Sequence, residues 1–256
     1  MQSWVIKNSE MVLTVLISLM ICTTRSSMAL GNLIYSLIIL MTLVTCWYRR
    51  HEISVPQSIR QYGWAYVGML LCVLPSALIS NDIAVTTKYF FNIWVWKVLV
   101  IVPILLFIKS SRKLYAILTV FFVYMGIDAI SAFVQFLLKY NLSPENRAGG
   151  VINGSIMGLA MLLTFTFPLA LVAMFDKSFP KYVRLSALFS TLGILLGMWG
   201  NQSRGSWLFN GLNGALITLR YSMFNIRYIL VLLVAMIGIG LIFVNKPIYA
   251  ERFQST

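Results

Sequence analysis

The chain has 256 residues, of which 59% are hydrophobic and only 11% are charged, and its formal net charge is +13. Ordinary soluble domains are roughly half apolar and about a quarter charged, so this composition excludes a soluble globular domain. A surface so poor in charge suits lipid, and the lipid bilayer is therefore the first predicted partner.

The apolar residues occur in nine solid runs rather than in alternation, which predicts an all-α, polytopic bundle of transmembrane helices. We predict these helices at about residues 11–24, 28–48, 62–80, 89–108, 114–138, 150–175, 185–200, 206–219 and 228–245. On this prediction, residues 1–245 form one transmembrane helical domain.

Basic residues are distributed unevenly between the loops that join these helices. The even-numbered loops contain eleven, namely Arg49, Arg50, Arg60, Lys109, Arg112, Lys113, Lys177, Lys181, Arg184, Arg220 and Arg227. The odd-numbered loops contain five, namely Arg25, Lys88, Lys139, Arg147 and Arg204. Because cytoplasmic loops are enriched in Lys and Arg, we predict a cytoplasmic amino terminus and an outward-facing, in a bacterium periplasmic, carboxyl end. The same distribution argues against a nucleic-acid partner.

Two ionisable residues lie within predicted helices, where charge is costly. Lys97 lies in the fourth helix and Asp128 in the fifth, each at a depth of about 13–15 Å from the outer end at 1.5 Å per residue. We predict that they either pair to fix helix packing or share a polar substrate cavity.

Small residues predict close contact between helices in the later part of the chain. Gly154 and Gly158 are four residues apart, as are Gly193 and Gly197, which is the spacing that lets helix backbones approach. The prolines within predicted spans are expected to kink them: Pro75, Pro103 and Pro168.

Cysteine and histidine provide no candidate catalytic pair. Cys22, Cys46 and Cys72 lie in apolar runs without metal-ligand spacing and are interpreted as small buried residues. The single histidine, His51, lies in a predicted cytoplasmic loop, so a Ser-His-Asp site on the outer face has no histidine in this chain.

Two of the predicted outer loops are candidates for anion binding. Arg204 lies in a tight link between two apolar runs, beside Asn201, Gln202 and Ser203, and Arg147 lies in the fifth loop. A guanidinium group donates hydrogen bonds to phosphate oxygens in a forked geometry. Together with Lys88, the two arginines would form a positive site suited to a pyrophosphate at the membrane surface.

The segment 202–208, QSRGSWL, resembles the "S-R-G-x-W" signature of the bacterial O-antigen ligase family. The segment 146–151, NRAGGV, resembles the family's "N-R-x-x-G" stretch, and Asn245, Lys246, Pro247, Ile248 and Arg252 resemble the start of its large periplasmic loop. The order of these motifs and their position among the predicted helices match the family pattern.

This resemblance implies a glycosyltransferase of the inner membrane in lipopolysaccharide biosynthesis. It would transfer O-antigen polysaccharide from undecaprenyl pyrophosphate to the lipid A-core acceptor. Arg204 would correspond to the family's essential arginine and Arg147 would help to hold the pyrophosphate, while Lys88 and Lys97 compete for a further lysine role. We expect no metal and no other cofactor, because cations can stabilise the leaving group and the sequence contains no acidic cluster suited to Mg²⁺.

The chain also departs from the family pattern. In the family, a histidine and a second arginine in the large periplasmic loop complete the site, and further helices follow that loop. The sequence stops at Thr256, so residues 246–256 are interpreted as the start of a truncated periplasmic loop. We therefore expect this portion alone to be inactive.

Two alternatives stay open. An O-antigen polymerase would use the same lipid-linked donor but a growing glycan as acceptor. A transporter of polysaccharides or lipid-linked glycans would be expected to contain an inverted repeat, and no convincing internal repeat is seen.

Overall fold

In the computed structural model the chain is a succession of helices, and the described residues contain no strand. The described residues are 2–23, 27–50, 55, 57–78, 82–91, 95, 97–141, 146–150 and 155–222. The α-helices of this part are α1 (Gln2–Thr23), α2 (Met28–Arg49), α3 (Gln57–Leu78), α4 (Ile83–Phe90), α5 (Ile101–Phe107), α6 (Ser111–Tyr140), α7 (Ile156–Phe175), α8 (Lys181–Asn201) and α9 (Arg204–Ser222). The predicted all-α class is confirmed for these residues.

Four of these helices, α2, α6, α7 and α8, are long and apolar enough to cross a membrane. Large apolar side chains also stay exposed on them, among them Leu40, Phe165 and Leu192. Extensive exposed apolar surface suits lipid rather than water. The chain is therefore a membrane protein with several apolar helices, and the number of nine spans stays a prediction.

The chain divides into two compact units, Met1–Ile117 and Leu118–Thr256. In the first unit, α1 packs along α2. The buried core of this unit includes Leu13, Ile17 and Ile38. Leu13 and Ile17 of α1 are four residues apart, as are Ile34 and Ile38 of α2, so one stripe of each helix is buried by its partner.

Glu10 of α1 links that helix to the start of α6 within the first unit. Its carboxylate accepts a hydrogen bond from the Ser110 backbone N–H at 2.8 Å and another from Lys113 Nζ at 2.8 Å. The first bond satisfies an N–H group just before α6, where the helix itself offers no acceptor. The contacts hold Glu10 and the segment before α6 at the same end of this unit.

The predicted helix over 89–108 is not one continuous α-helix. Helix α4 ends at Phe90, and a 3-10 helix, Lys97–Val100, directly precedes α5. Pro103 lies in the first turn of α5, where its missing N–H is tolerated, whereas in a continuous helix it would break the bond to the carbonyl four residues earlier. The proline therefore acts here at a helix start rather than as a kink within a span.

In the second unit, the glycines of α8 lie against the backbone of α6. A Cβ atom on Gly193 would lie 2.8 Å from the carbonyl oxygen of Gly126, and one on Gly197 would lie 2.8 Å from the carbonyl oxygen of Ala129. Only glycine permits such distances. The prediction that Gly193 and Gly197 allow close helix approach is confirmed.

The predicted helix at 150–175 begins later than expected. Gly150 has a φ of +83° and is not helical, and α7 begins at Ile156. The Ser155 hydroxyl accepts a hydrogen bond from the Gly158 N–H at 3.1 Å and so caps the helix. Of the residues that the structure describes, Ser155 alone lies within 4 Å of a Cβ built on Gly158, so these residues show no helix contact at this glycine.

A short turn joins α7 to α8 outside the membrane-spanning helices. The Asp176 carboxylate accepts a hydrogen bond from the Ser178 N–H at 2.8 Å. The hydrogen bonds that Ser178 donates lower the pKa of the Asp176 carboxyl from its ordinary value. Arg184 Nε donates to the Met174 carbonyl at 3.2 Å across the same turn. These bonds set the two helices side by side in opposite directions.

Several predictions fall on other parts of the chain. The loop with His51, the ninth predicted helix at 228–245 and the predicted loop 246–256 lie outside the described residues, as does Gly154. Among the cysteines, Cys22 and Cys46 are half-buried, but Cys72 is exposed, so its predicted burial is wrong. An apolar position in a membrane helix can face lipid as readily as protein.

Candidate functional site

The loops that contain Arg147 and Arg204 meet within the second unit. The Ala148 N–H donates to the Gly200 carbonyl at 2.9 Å. The Asn201 side-chain amide nitrogen donates to the Ala148 carbonyl at 3.0 Å and to the Ile156 carbonyl at 2.9 Å. Asn201 is fully buried. One asparagine at the end of α8 thus connects the loop before α7 to the first turn of α7.

Arg147 lies beside this junction and is bound to the opposite loop. Its Nη2 atom donates to the Gln202 carbonyl at 3.0 Å. Gln202 ends α8 in the left-handed conformation, with a φ of +52°, and its own N–H donates to the Met198 carbonyl at 2.9 Å. The side chain of Arg147 is exposed. A guanidinium has five N–H donors, so the group is held in place while other donors stay available to an anion.

The buried carboxylate of Asp128 lies beneath the end of the same loop. Gly150 donates its N–H to Gln135 Oε1 at 3.1 Å. A Cβ atom on Gly150 would lie 2.9 Å from Asp128 Oδ1, and the positive φ of this glycine already disfavours any other residue. The Ser131 hydroxyl donates to the Asp128 carbonyl at 2.7 Å. Polar residues of α6 therefore shape the loop that carries Arg147.

The backbone of Arg204 begins α9 two residues after Gln202. Polar contacts hold the next turns of α9 against α7. The Ser206 hydroxyl donates to the Ala160 carbonyl at 3.0 Å, and the Asn210 amide donates to the Leu163 carbonyl at 3.4 Å. Both side chains are buried. The start of α9 is therefore anchored next to the loop junction, and the Arg204 side chain itself lies outside the described residues.

The structure places the predicted site residues in two groups. Arg147, Asp128 and the Arg204 backbone belong to the second unit, whereas Lys88 and Lys97 belong to the first. Lys88 is exposed in the last turn of α4, and Lys97 begins the 3-10 helix with its side chain outside the described residues. The pairing of Lys97 with Asp128 and the lysine roles stay predictions.

Asn201, Ser206 and Asn210 were not predicted as structural elements of the site. The signal for them was present, because Asn201 follows Gly197 by four residues and Asn210 follows Ser206 by four. Such spacing puts side chains on one helix face. A buried asparagine that continues a glycine stripe indicates a polar contact with the neighbouring helix or loop.

The junction is chemically a cationic, hydrogen-bond-donating surface with a buried acidic residue below it. Comparisons of the chain with protein-family models, with curated proteins and with solved structures found no match. The residues and contacts of this junction are therefore the observations from which a function can be proposed.

Proposed function

We propose that the chain is the donor-binding, membrane-embedded part of an O-antigen ligase. Such an enzyme moves O-antigen polysaccharide from undecaprenyl pyrophosphate to the lipid A-core in a bacterial inner membrane. The observation that carries this proposal is the hydrogen bond from Arg147 to the Gln202 carbonyl. It joins the two short segments whose sequences resemble the ligase family, although 55 residues separate them in the chain.

The chemistry of the reaction explains why two arginines would be brought together. The acceptor hydroxyl oxygen forms a bond to the anomeric carbon of the sugar, and the bond from that carbon to the pyrophosphate oxygen breaks. Negative charge therefore grows on the pyrophosphate, and cations positioned in advance stabilise it. The hydroxyl proton must pass to a base, which the resemblance assigns to a histidine of the family's large periplasmic loop.

In this proposal Arg204 stabilises the leaving pyrophosphate and Arg147 holds it. Guanidinium groups suit the task because their forked donors match phosphate oxygens. The Gln202 carbonyl fixes one nitrogen of Arg147, which lowers the entropy lost when the donor binds. Either Lys88 or Lys97 is proposed as a further contact to the pyrophosphate, and no metal is required.

The proposed topology has nine spans with a cytoplasmic amino terminus. Two contacts support the order of the helices on which it rests. Glu10 and Ser110 share one end of the first unit, and Ala148 and Gly200 share one end of the second. Each contact joins positions that the charge distribution assigns to the same side of the membrane. The fifth and seventh loops would then face the periplasm.

Complementation of a strain that lacks its own ligase would test the proposal. The chain extended by the family's large periplasmic loop should restore attached O-antigen, seen as a ladder of lipopolysaccharide on a gel, whereas residues 1–256 alone should not. We expect Arg204→Ala to lower transfer by about 10²–10³-fold, as for removal of one transition-state donor, and Arg147→Ala to weaken donor binding. Arg220→Ala, at the other end of α9, is the matched control and should leave transfer unchanged.

Immunoblots of membrane fractions would show whether each variant is inserted in normal amounts. Transfer near the wild-type level in Arg204→Ala would reject its assigned role. Restoration of long chains in a strain that attaches only single O-antigen units would instead indicate a polymerase.

A further inference from the structure

A cleft of about 770 Å³ lies between α3 and α5 in the first unit. Its walls are apolar and include Ile59 and Trp64 from α3 and Ile101 and Leu105 from α5. The volume falls within the range of roughly 300–1,000 Å³ that is typical of ligand pockets. None of the described residues that line the cleft belongs to the proposed donor site.

Arg60 supplies the cleft with a positive charge. It lies in the first turn of α3 and lines the cleft together with the apolar residues. Its side chain is exposed, and within the described residues it has neither a hydrogen bond nor an ion pair. The charge distribution puts this end of α3 on the cytoplasmic side, where the membrane surface contains anionic lipids.

Gly63 leaves space in the wall of the cleft one turn further along α3. A Cβ atom built on Gly63 would have no atom of the described part of the chain within 4 Å. The glycine is therefore not required by close packing of the protein, in contrast to Gly193 and Gly197. A larger side chain at this position would extend into the cleft without a clash with the protein backbone.

We propose that the cleft binds an anionic phospholipid of the cytoplasmic leaflet, with an acyl chain between α3 and α5 and the phosphate on Arg60. An acyl chain has no polar group to satisfy, whereas a peptide in the same apolar cleft would bury unpaired N–H and C=O groups. Basic pockets between transmembrane helices are known to select anionic headgroups. The exposed guanidinium of Arg60 gives the selectivity, and the space at Gly63 gives room for the chain.

The fluorescence of Trp64 provides a direct readout, because this side chain lines the cleft. Purified protein would be reconstituted in bilayers that contain brominated phosphatidylglycerol or brominated phosphatidylcholine, both of which quench tryptophan. The contribution of Trp64 is the difference between the protein and its Trp64→Phe variant. We expect the site to prefer phosphatidylglycerol about fivefold, as for one basic residue near the surface.

Two variants separate the headgroup from the chain. Arg60→Gln should bring the ratio of binding between phosphatidylglycerol and phosphatidylcholine close to one, while both lipids still quench Trp64. Gly63→Phe should fill the cleft and lower quenching by both lipids. Gly68→Phe is the matched control, since Gly68 is also on α3 with nothing within 4 Å of a built Cβ, yet it does not line the cleft. Both lipids should quench Trp64 in this variant as strongly as in the wild type.

Four results would overturn the proposal. The first is a preference for phosphatidylglycerol that survives Arg60→Gln, and the second is wild-type quenching in Gly63→Phe. The third is displacement of brominated phosphatidylglycerol by an equimolar amount of undecaprenyl phosphate, which would assign the cleft to a polyprenyl chain. The fourth is a dimer that Gly63→Phe dissociates and Gly68→Phe does not, which would assign the cleft to a second copy of the chain.

Discussion

Replacement of Asn201 by alanine should loosen the junction between the two cationic loops. The wild-type amide nitrogen donates to the Ala148 carbonyl at 3.0 Å and to the Ile156 carbonyl at 2.9 Å, and the side chain is fully buried. Alanine removes both donors without adding bulk. It also leaves a cavity at this buried site, so the variant measures the loss of the hydrogen bonds and of the packing of this side chain together.

The Ala148 and Ile156 carbonyls differ in the free energy that the loss of the Asn201 hydrogen bond costs. The Ile156 carbonyl lies in the first turn of α7 and keeps its bond within the helix, so its loss is close to the average of about 0.6 kcal/mol for membrane proteins. The Ala148 carbonyl is in the loop, and leaving a buried acceptor unsatisfied costs about 1–3 kcal/mol. We expect the free energy of unfolding to fall by about 2 kcal/mol, a factor of about 30 in the unfolding equilibrium.

Titration of the protein in mixed micelles with a denaturing detergent would give the free energy of unfolding. Hydrogen exchange would localise the change, because the Ala148 N–H donates to Gly200 and should exchange faster in the variant. Asn213→Ala is the matched control, since the one bond that the Asn213 amide donates within the described residues goes to the Phe209 carbonyl of its own helix at 2.9 Å. Its effect should stay within about 0.5 kcal/mol. Equal effects of Asn201→Ala and Asn213→Ala would refute the role of Asn201.

Three further changes test the packing of the helices by the same titration. Gly197→Ala should destabilise the protein by about 1–3 kcal/mol because its Cβ would meet the backbone of α6. Gly211→Ala should stabilise it by up to about 1 kcal/mol, since no described atom lies within 4 Å of a Cβ at this position. A stability change of the same sign in both variants would contradict the close contact at Gly197. The Thr164 hydroxyl donates a hydrogen bond to the Ser206 hydroxyl at 2.9 Å. Ser206→Ala and Thr164→Val should therefore show a coupling energy of about 0.5–1.5 kcal/mol in a double-mutant cycle. Additive effects of the two changes would argue against this hydrogen bond. Glu10→Gln should lower stability by less than about 1 kcal/mol, because the partly exposed ion pair with the Lys113 ammonium is lost while the amide oxygen can still accept a backbone N–H. The part of the stability that salt screens at this ion pair should be lost in the variant. Equal salt dependence of stability in the variant and the wild type would exclude the ion pair.

The helical class and most helix positions could be predicted from the sequence because long apolar runs leave few alternatives in a membrane. The orientation of each helix face could not, since lipid and protein neighbours are both apolar. Cys72 illustrates the difficulty: it lies in an apolar run like Cys22 and Cys46, yet it is exposed. In α8, by contrast, Gly193 and Gly197 identified the packed face, because small residues have a steric reason to be there.

Boundaries near loops depended on side-chain contacts that no hydropathy pattern contains. The start of α7 was misplaced because Ser155 caps the helix while the preceding glycines are as apolar as a span. The pairing of the cationic loops was expected only through a common role in binding an anion. The structure adds a direct link, in which Arg147 and Asn201 bind opposite backbone groups.

The glycine stripe of α8 also explains how this link is possible. A Cβ atom on Gly200 would lie 2.7 Å from the Ala132 carbonyl, so α6 and α8 remain in backbone contact up to the last turn of α8. Asn201 comes directly after this contact, and the loop that follows α6 passes within reach of its short side chain. A wider separation of the helices would put the Ala148 carbonyl beyond a hydrogen bond from an asparagine. Close packing at Gly193, Gly197 and Gly200 is therefore the condition that lets two loops far apart in sequence form a direct hydrogen-bonded link.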